Sequence, residues 1–225
     1  MGSAFAFNAA WILAAALLGF VISALSAGVL RLSRRVFVLV YFALTAPFLY
    51  AFFRWSRLDI HGLVQHNWIW GLALAALVGA FLVRNVRAQP RSAAVRGFAL
   101  VWDVIWLGVV YGTLDALLLS VLPVLATWQA FSGFEWAGSV PGKMMVSVFA
   151  LIASLVVTVV YHLGYPEYRQ RRGVVGPSIG NTVMSLGYVL ADNPLSAVFS
   201  HIAMHIAGVL HGPASVVQLP PHYRA

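Results

Sequence analysis

The chain has 225 residues, of which 61% are hydrophobic and 9% are charged. Soluble domains carry about 25% charged residues, so this composition excludes a soluble globular protein and indicates one that lies almost wholly in or beside a lipid bilayer. The net charge of +8 is assigned to membrane topology rather than to nucleic-acid binding, and the lack of cysteine excludes disulfides, a thiolate nucleophile and an iron–sulfur cluster.

Seven apolar segments follow one another along the chain, and a spanning helix needs about 20 apolar residues. They cover residues 9–30, 36–53, 67–83, 97–128, 143–163, 177–191 and 194–212. The fourth is too long for one straight span, so it is tilted, broken or extends beyond the bilayer. The sixth is short, and the sequence leaves open whether it crosses fully. We predict an all-α fold, a polytopic transmembrane helical bundle of about seven helices, with one domain over residues 1–213 and a short tail, 214–225, that has no obvious fold.

The basic residues fall mainly into alternate loops. Three lie on one side of the predicted bundle, Arg54, Arg57 and Lys143. The other eleven lie on the opposite side: Arg31, Arg34, Arg35, Arg84, Arg87, Arg91, Arg96, Arg169, Arg171, Arg172 and Arg224. Because basic loops remain on the cytoplasmic side, this distribution predicts a multi-pass protein of the inner (plasma) membrane with its N-terminus outside and its C-terminus inside.

Ionisable residues inside the predicted spans are the candidate functional groups, because such residues are costly at membrane depth. His201 and His205 lie one helical turn apart in the seventh segment. Asp115 lies near the middle of the fourth segment, and the helix directions place it at a similar depth. Asp103 and His162 lie nearer the inner side, where they could form a second layer. His162 could join the other three residues only if the fifth segment lies deeper than this. Four further histidines flank segment ends and are interpreted as interfacial: His61, His66, His211 and His222.

Imidazole and carboxylate groups together are typical ligands of zinc and related divalent ions. His201, His205 and Asp115 would supply three ligands, and a catalytic zinc site keeps its fourth position for water. The cofactor itself is unknown from the sequence, with a divalent metal such as zinc as one candidate. Haem held by His162 and either His201 or His205 is another, provided that the two histidines face each other at one depth. The histidines could also serve helix packing alone.

The order of these residues resembles the CAAX protease and bacteriocin-processing family of intramembrane proteases, over about residues 97–212. Asp115, in GTLDALLLS, stands where that family has an acidic residue. His162, in VTVVYHLGY, stands at the end of the following helix, and His201 begins the HIAMH pattern two helices later. Four positions depart from the family pattern: the second acid is Ala116, the arginine position is Ser120, the aromatic position is Thr158, and the Asn/Asp position is His205.

The resemblance implies cleavage of a peptide bond near the membrane, with Asp115 activating water and His162 and His201 stabilising the oxyanion.

Two functions therefore stay open. The first is a divergent intramembrane protease-like hydrolase that acts on a membrane-embedded peptide or lipid, with catalytic residues drawn from Asp115, His162, His201 and His205. The second is a non-enzymatic membrane protein that binds a lipid, metal, haem or partner subunit. The hydrolase requires Asp115 within about 4 Å of a histidine, directly or through water, and a cavity beside them. A packing role predicts histidines bonded to backbone carbonyls and no cavity.

Overall fold

The computed structural model describes residues 2–93, 95–170, 173–214 and 216–221. Across these ranges the chain forms eight helices and no strand, which confirms the predicted all-α bundle. In chain order they are α1 (Gly2–Ile22, continued by π-helical turns over Ser23–Val29), α2 (Arg34–Ser56), α3 (Ile60–Gln65), α4 (Trp68–Arg87), α5 (Phe98–Phe131), α6 (Val140–Leu163), α7 (Val175–Ala191) and α8 (Leu195–His211).

Five of these helices, α1, α2, α4, α5 and α6, are long and apolar enough to cross a membrane. Helices α7 and α8 have 17 residues each, which corresponds to about 25 Å against a hydrocarbon core of about 30 Å. Helix α7 nevertheless extends from one end of the bundle to the other. Gly176, in its first turn, lines a cavity together with Asn85 near the end of α4. Asp192, just after α7, lies 3.2 Å from His66, just before α4.

Contacts between loops divide the helix ends into two groups. At one end, Arg34 Nε donates to the Pro220 carbonyl at 2.9 Å, and His211 Nε2 contacts the Gln89 carbonyl at 2.8 Å. At the opposite end, Gln129 donates to the Ser56 carbonyl at 3.1 Å. Asn193 there donates to the backbone carbonyls of residues 63, 64 and 66. These are the two groups of loops that the arginine distribution predicts, and we call the first group the basic end.

Helix α5 is the central element, with 34 residues that are mostly buried. It is continuous rather than broken, and at about 1.5 Å per residue it is about 51 Å long, so the predicted overlong segment is one helix. Two π-helical stretches, Val104–Val110 and Leu117–Val121, flank the α-helical turn Tyr111–Ala116 that carries Asp115. Such local widening of a helix is frequent at functional sites, because it changes the direction in which nearby side chains point.

Two glycines of α5 allow α8 to approach its backbone closely. A Cβ added to Gly112 would lie 3.1 Å from the Ile202 Cα and 3.2 Å from the His205 ring, and one added to Gly108 would lie 2.7 Å from the Ile206 side chain. The GVVYG stretch is thus a GxxxG packing motif, in which small residues bring two membrane helices into contact. It sets the histidine-bearing face of α8 directly against the Asp115 turn.

The described part of the tail has no helix or strand, and it packs against the basic end of the bundle. Val216 and Leu219 are buried, and Leu219 contacts α8 at Gly208. The Tyr168 hydroxyl donates to the Val217 carbonyl at 3.0 Å. The tail therefore completes the domain instead of extending from it. His222 and Arg224 lie outside the described residues.

Candidate metal centre

Asp115 is buried and has a partner on each of its carboxylate oxygens. Its Oδ2 atom lies 3.4 Å from His201 Nε2 and 3.7 Å from His205 Nε2. Its Oδ1 atom accepts a hydrogen bond of 3.1 Å from the Tyr41 hydroxyl of α2. The Tyr41 bond orients the carboxylate so that the opposite oxygen faces both imidazole rings. The predicted common depth of Asp115, His201 and His205 is thus what the structure shows.

These three side chains form a group that could hold a metal ion. Their candidate ligand atoms all lie within 4.8 Å of one another. Ligands held at 2.0–2.1 Å in a tetrahedron are about 3.4 Å apart, close to the two distances from Asp115 Oδ2. The two imidazole rings are stacked, 5.7 Å apart at an angle of 17°, as expected for residues on successive turns. Small inward shifts would suffice to coordinate an ion.

The buried histidines also carry ring nitrogens without hydrogen bonds. Among the residues that the structure describes, His201 Nδ1 and His205 Nε2 have no hydrogen-bond partner, although each ring is only 2% exposed. Buried polar atoms are almost always satisfied, so such groups require an explanation, and a ligand is one. A pure packing role predicted that these histidines bond to backbone carbonyls. Both Nε2 atoms instead face Asp115, although the backbone of Gln218 also interacts with His205.

A cavity of about 260 Å³ adjoins the three residues. Asp115, His162, His201 and His205 all line it, and its remaining wall is largely apolar. The cavity extends between α4 and α7, where Phe81 and Ile179 border it and are exposed on the outside of the bundle. The structure therefore meets both conditions set for a hydrolytic site, a short distance from Asp115 to a histidine and a cavity beside them.

His162 belongs to this cavity, and the prediction that it could form a second layer with Asp103 is wrong. Asp103 instead forms an ion pair with Arg35 of α2 at 2.9 Å, near the basic end. His162 Nδ1 bonds to the Thr158 carbonyl at 2.8 Å. Because a carbonyl only accepts, Nδ1 carries the proton, and in the neutral ring the lone pair is then on Nε2.

Sequence analysis missed a group of buried tyrosines beside the site. The hydroxyls of Tyr111, Tyr161 and Tyr165 form a chain with distances of 2.7 and 2.6 Å, and the Tyr111 ring packs edge-on against His205 at 4.9 Å. Burial raises the pKa of Tyr165 and of Tyr168, so both phenols remain neutral hydrogen-bond donors near neutral pH. A signal was present in the sequence, because Tyr111 precedes Asp115 by four residues and shares its helix face.

A second missed network joins α5, α6 and α7. Ser120 donates to the Asn181 side-chain oxygen at 2.8 Å, Asn181 donates to Ser154 at 2.8 Å, and Ser154 and Ser185 are 2.7 Å apart. These four side chains are buried and satisfy one another, as expected of polar groups that hold membrane helices together. Ser120 stands at the arginine position of the resemblance, and here its hydroxyl serves this network.

Three flanking histidines lie outside the site. His61 contacts Gln65 at 3.1 Å, His66 pairs with Asp192, and His211 contacts the Gln89 carbonyl. The pair of His66 and Asp192 has nearly the same separation as that of His201 and Asp115, but both of its side chains are more than half exposed. It therefore provides a surface control for the buried site.

No protein-family model, curated protein or solved structure matches this chain. The likeness to the CAAX protease and bacteriocin-processing family thus stays a prediction from residue order, and the site is interpreted from its own geometry.

Proposed function

We propose that this membrane protein is a metal-dependent hydrolase with its site inside the helical bundle, formed by Asp115, His201 and His205. The observation that carries the proposal is the convergence of these three buried groups within 4.8 Å beside a cavity. Three protein ligands with a fourth position facing a cavity are the arrangement of catalytic zinc sites, whereas structural sites are closed by four.

A divalent ion held there would activate water and polarise the bond to be cleaved. The protein would supply its ligands in a fixed geometry. Tyr41 holds Asp115 through Oδ1, and the close contact of α8 with Gly112 holds His205. Hydrogen bonds of this kind around the ligands are expected to tune metal affinity.

His162 is the further candidate for proton transfer. The resemblance assigns it to oxyanion stabilisation, which requires a proton on Nε2. Because Nδ1 already donates to the Thr158 carbonyl, that role would need the cationic ring. In the neutral ring Nε2 instead accepts a proton, so we assign His162 the role of a general base at the cavity wall.

The size and the lining of the cavity also limit which substrates and cofactors it could hold. At about 260 Å³ it is smaller than the 300–1,000 Å³ typical of pockets for whole organic ligands. It thus favours an ion, water and the reacting part of a larger molecule over haem. Its largely apolar wall, bordered by Phe81 and Ile179, which are exposed on the outside of the bundle, favours a membrane-embedded peptide or lipid.

The test is hydrolysis by the full chain reconstituted in vesicles with zinc, using membrane-spanning peptides and phospholipids as substrates. We expect Asp115→Asn, which keeps the shape of the side chain, to reduce the rate at least about 100-fold. Asp192→Asn, which alters the exposed Asp–His pair, should leave it unchanged. Stoichiometric zinc with no turnover of either substrate class would instead support the non-enzymatic alternative, a metal-binding membrane protein.

A further inference from the structure

A second feature, separate from the candidate metal centre, lies on the outer surface between α4 and α8 at the basic end. It is a groove of about 770 Å³. Its floor includes Val83 of α4 and Ala203, Ala207 and Leu210 of α8, and its rim carries Arg87 and Arg91. Both arginines are exposed, and Leu210 is 48% exposed, so the groove faces the surroundings of the bundle.

The groove is basic at its rim and apolar along its floor, just as a bilayer leaflet has polar headgroups above its hydrocarbon chains. Arg87 ends α4 and Arg91 follows it, so both lie where the helices leave the membrane. The apolar floor reaches from Leu210 to Ala203, which are about 10 Å apart along α8. At its inner limit α8 packs closely on α4, where a Cβ added to Gly79 would lie 3.5 Å from that of Ala203.

Among the residues that the structure describes, no ion pair neutralises the two arginines of the rim. Within the described ranges, the carboxylates that form ion pairs are Asp103 with Arg35, Asp192 with His66, and Asp115 with His201 and His205. None of these pairs includes Arg87 or Arg91. His211, which also borders the groove, contacts the Gln89 carbonyl, so its position is set by the backbone beside the arginines.

We propose that this groove binds an anionic glycerophospholipid, with the headgroup phosphate between Arg87 and Arg91 and an acyl chain along Val83, Ala207 and Leu210. Guanidinium groups match phosphate oxygens in pairs, and basic pockets between helices on the cytoplasmic side are suited to anionic headgroups. Because the side chains of Ala203 and Ala207 are small, the groove is deep enough there to hold an acyl chain. Neither the ligand nor the residues overlap with the candidate metal centre.

The experiment is native mass spectrometry of the full chain in detergent, titrated with dioleoylphosphatidylglycerol or with dioleoylphosphatidylcholine. We expect tighter binding of the anionic lipid and a loss of about 30-fold in its affinity in the double variant Arg87→Gln, Arg91→Gln. The matched control is Arg54→Gln, Arg57→Gln, which removes two exposed arginines at the opposite end and should not change the affinity.

A third variant separates a lipid from free phosphate. Ala207→Trp fills the groove and keeps both arginines, so it should weaken the lipid and leave any inorganic phosphate binding unchanged. Thermal unfolding of each variant without added lipid checks that it is folded. Equal binding of the two lipids, equal effects of the two arginine pairs, or unchanged lipid binding in Ala207→Trp would each overturn the proposal.

Discussion

Asp115 and Asp103 are carried by the same helix, yet their surroundings give them different roles. Asp103 is paired with Arg35, whose side chain is half-exposed. The pair therefore connects α2 and α5 near the surface of the bundle. Asp115 is enclosed by Tyr41, His201 and His205, beside a cavity. A buried carboxylate in this setting has a large desolvation cost, which imidazole groups and a bound cation would offset.

The Tyr41 hydrogen bond gives a prediction at the scale of one atom. Tyr41→Phe removes the donor to Asp115 Oδ1 and leaves the ring in place, so the carboxylate should lose its orientation toward the histidines. We expect zinc affinity, measured by competition with a chromophoric chelator, to fall 10- to 100-fold. The control is Tyr188→Phe, because the buried Tyr188 hydroxyl has no hydrogen-bond partner within the part of the chain that the structure describes. An equal effect of both variants would argue against a role for Tyr41 in the site.

At the scale of elements, the approach of α8 to α5 determines the site. Gly108 and Gly112 lie on the face of α5 that meets Ile202, His205 and Ile206. Because a glycine has no side chain, the two backbones come close enough for an imidazole on one helix to reach a carboxylate on the other. The π-helical stretches on either side of Tyr111–Ala116 further set the direction of Asp115.

Gly112→Ala tests this contact. The added methyl group would lie 3.1 Å from the Ile202 backbone, so α8 must move away from α5. Overpacking of this kind costs about 1–3 kcal/mol, and we expect a lower thermal unfolding midpoint together with weaker zinc binding. Gly79→Ala, on α4, is the matched control. Its methyl group would also meet α8, at Ala203, but at an ordinary contact distance of 3.5 Å. If Gly112→Ala keeps full stability and zinc affinity, the close contact does not position the site.

At the scale of the whole molecule, hydropathy predicted the helices because membrane spans need long apolar runs, and it missed the short α3, which is too short for that signal. Depth along each predicted span also brought Asp115 to His201 and His205. The same reasoning failed for His162. This residue lies at a helix end and was therefore placed near the membrane–water interface. The tail and Tyr168 cover that end, which only tertiary packing shows.

Hydrogen-bond partners likewise could not be predicted from the sequence. The Tyr41 contact and the network of Ser120, Ser154, Asn181 and Ser185 depend on how helices face one another. Periodicity gives the face of a single helix but not the rotation of its neighbours. The GxxxG stretch of α5 was a signal that the sequence analysis did not use, although its spacing indicates a close helix contact.

The measurement that tests the central claim most directly is the metal content of the detergent-purified chain after loading with zinc. The site formed by Asp115, His201 and His205 predicts about one zinc per chain, lost in the Asp115→Asn, His201→Ala double variant. The same amount should remain in the Asp192→Asn, His66→Ala variant, which alters the exposed pair. Absence of zinc from the unmodified chain, with the Asp115 variant only less stable to heat, would contradict the claim and assign these side chains to helix packing.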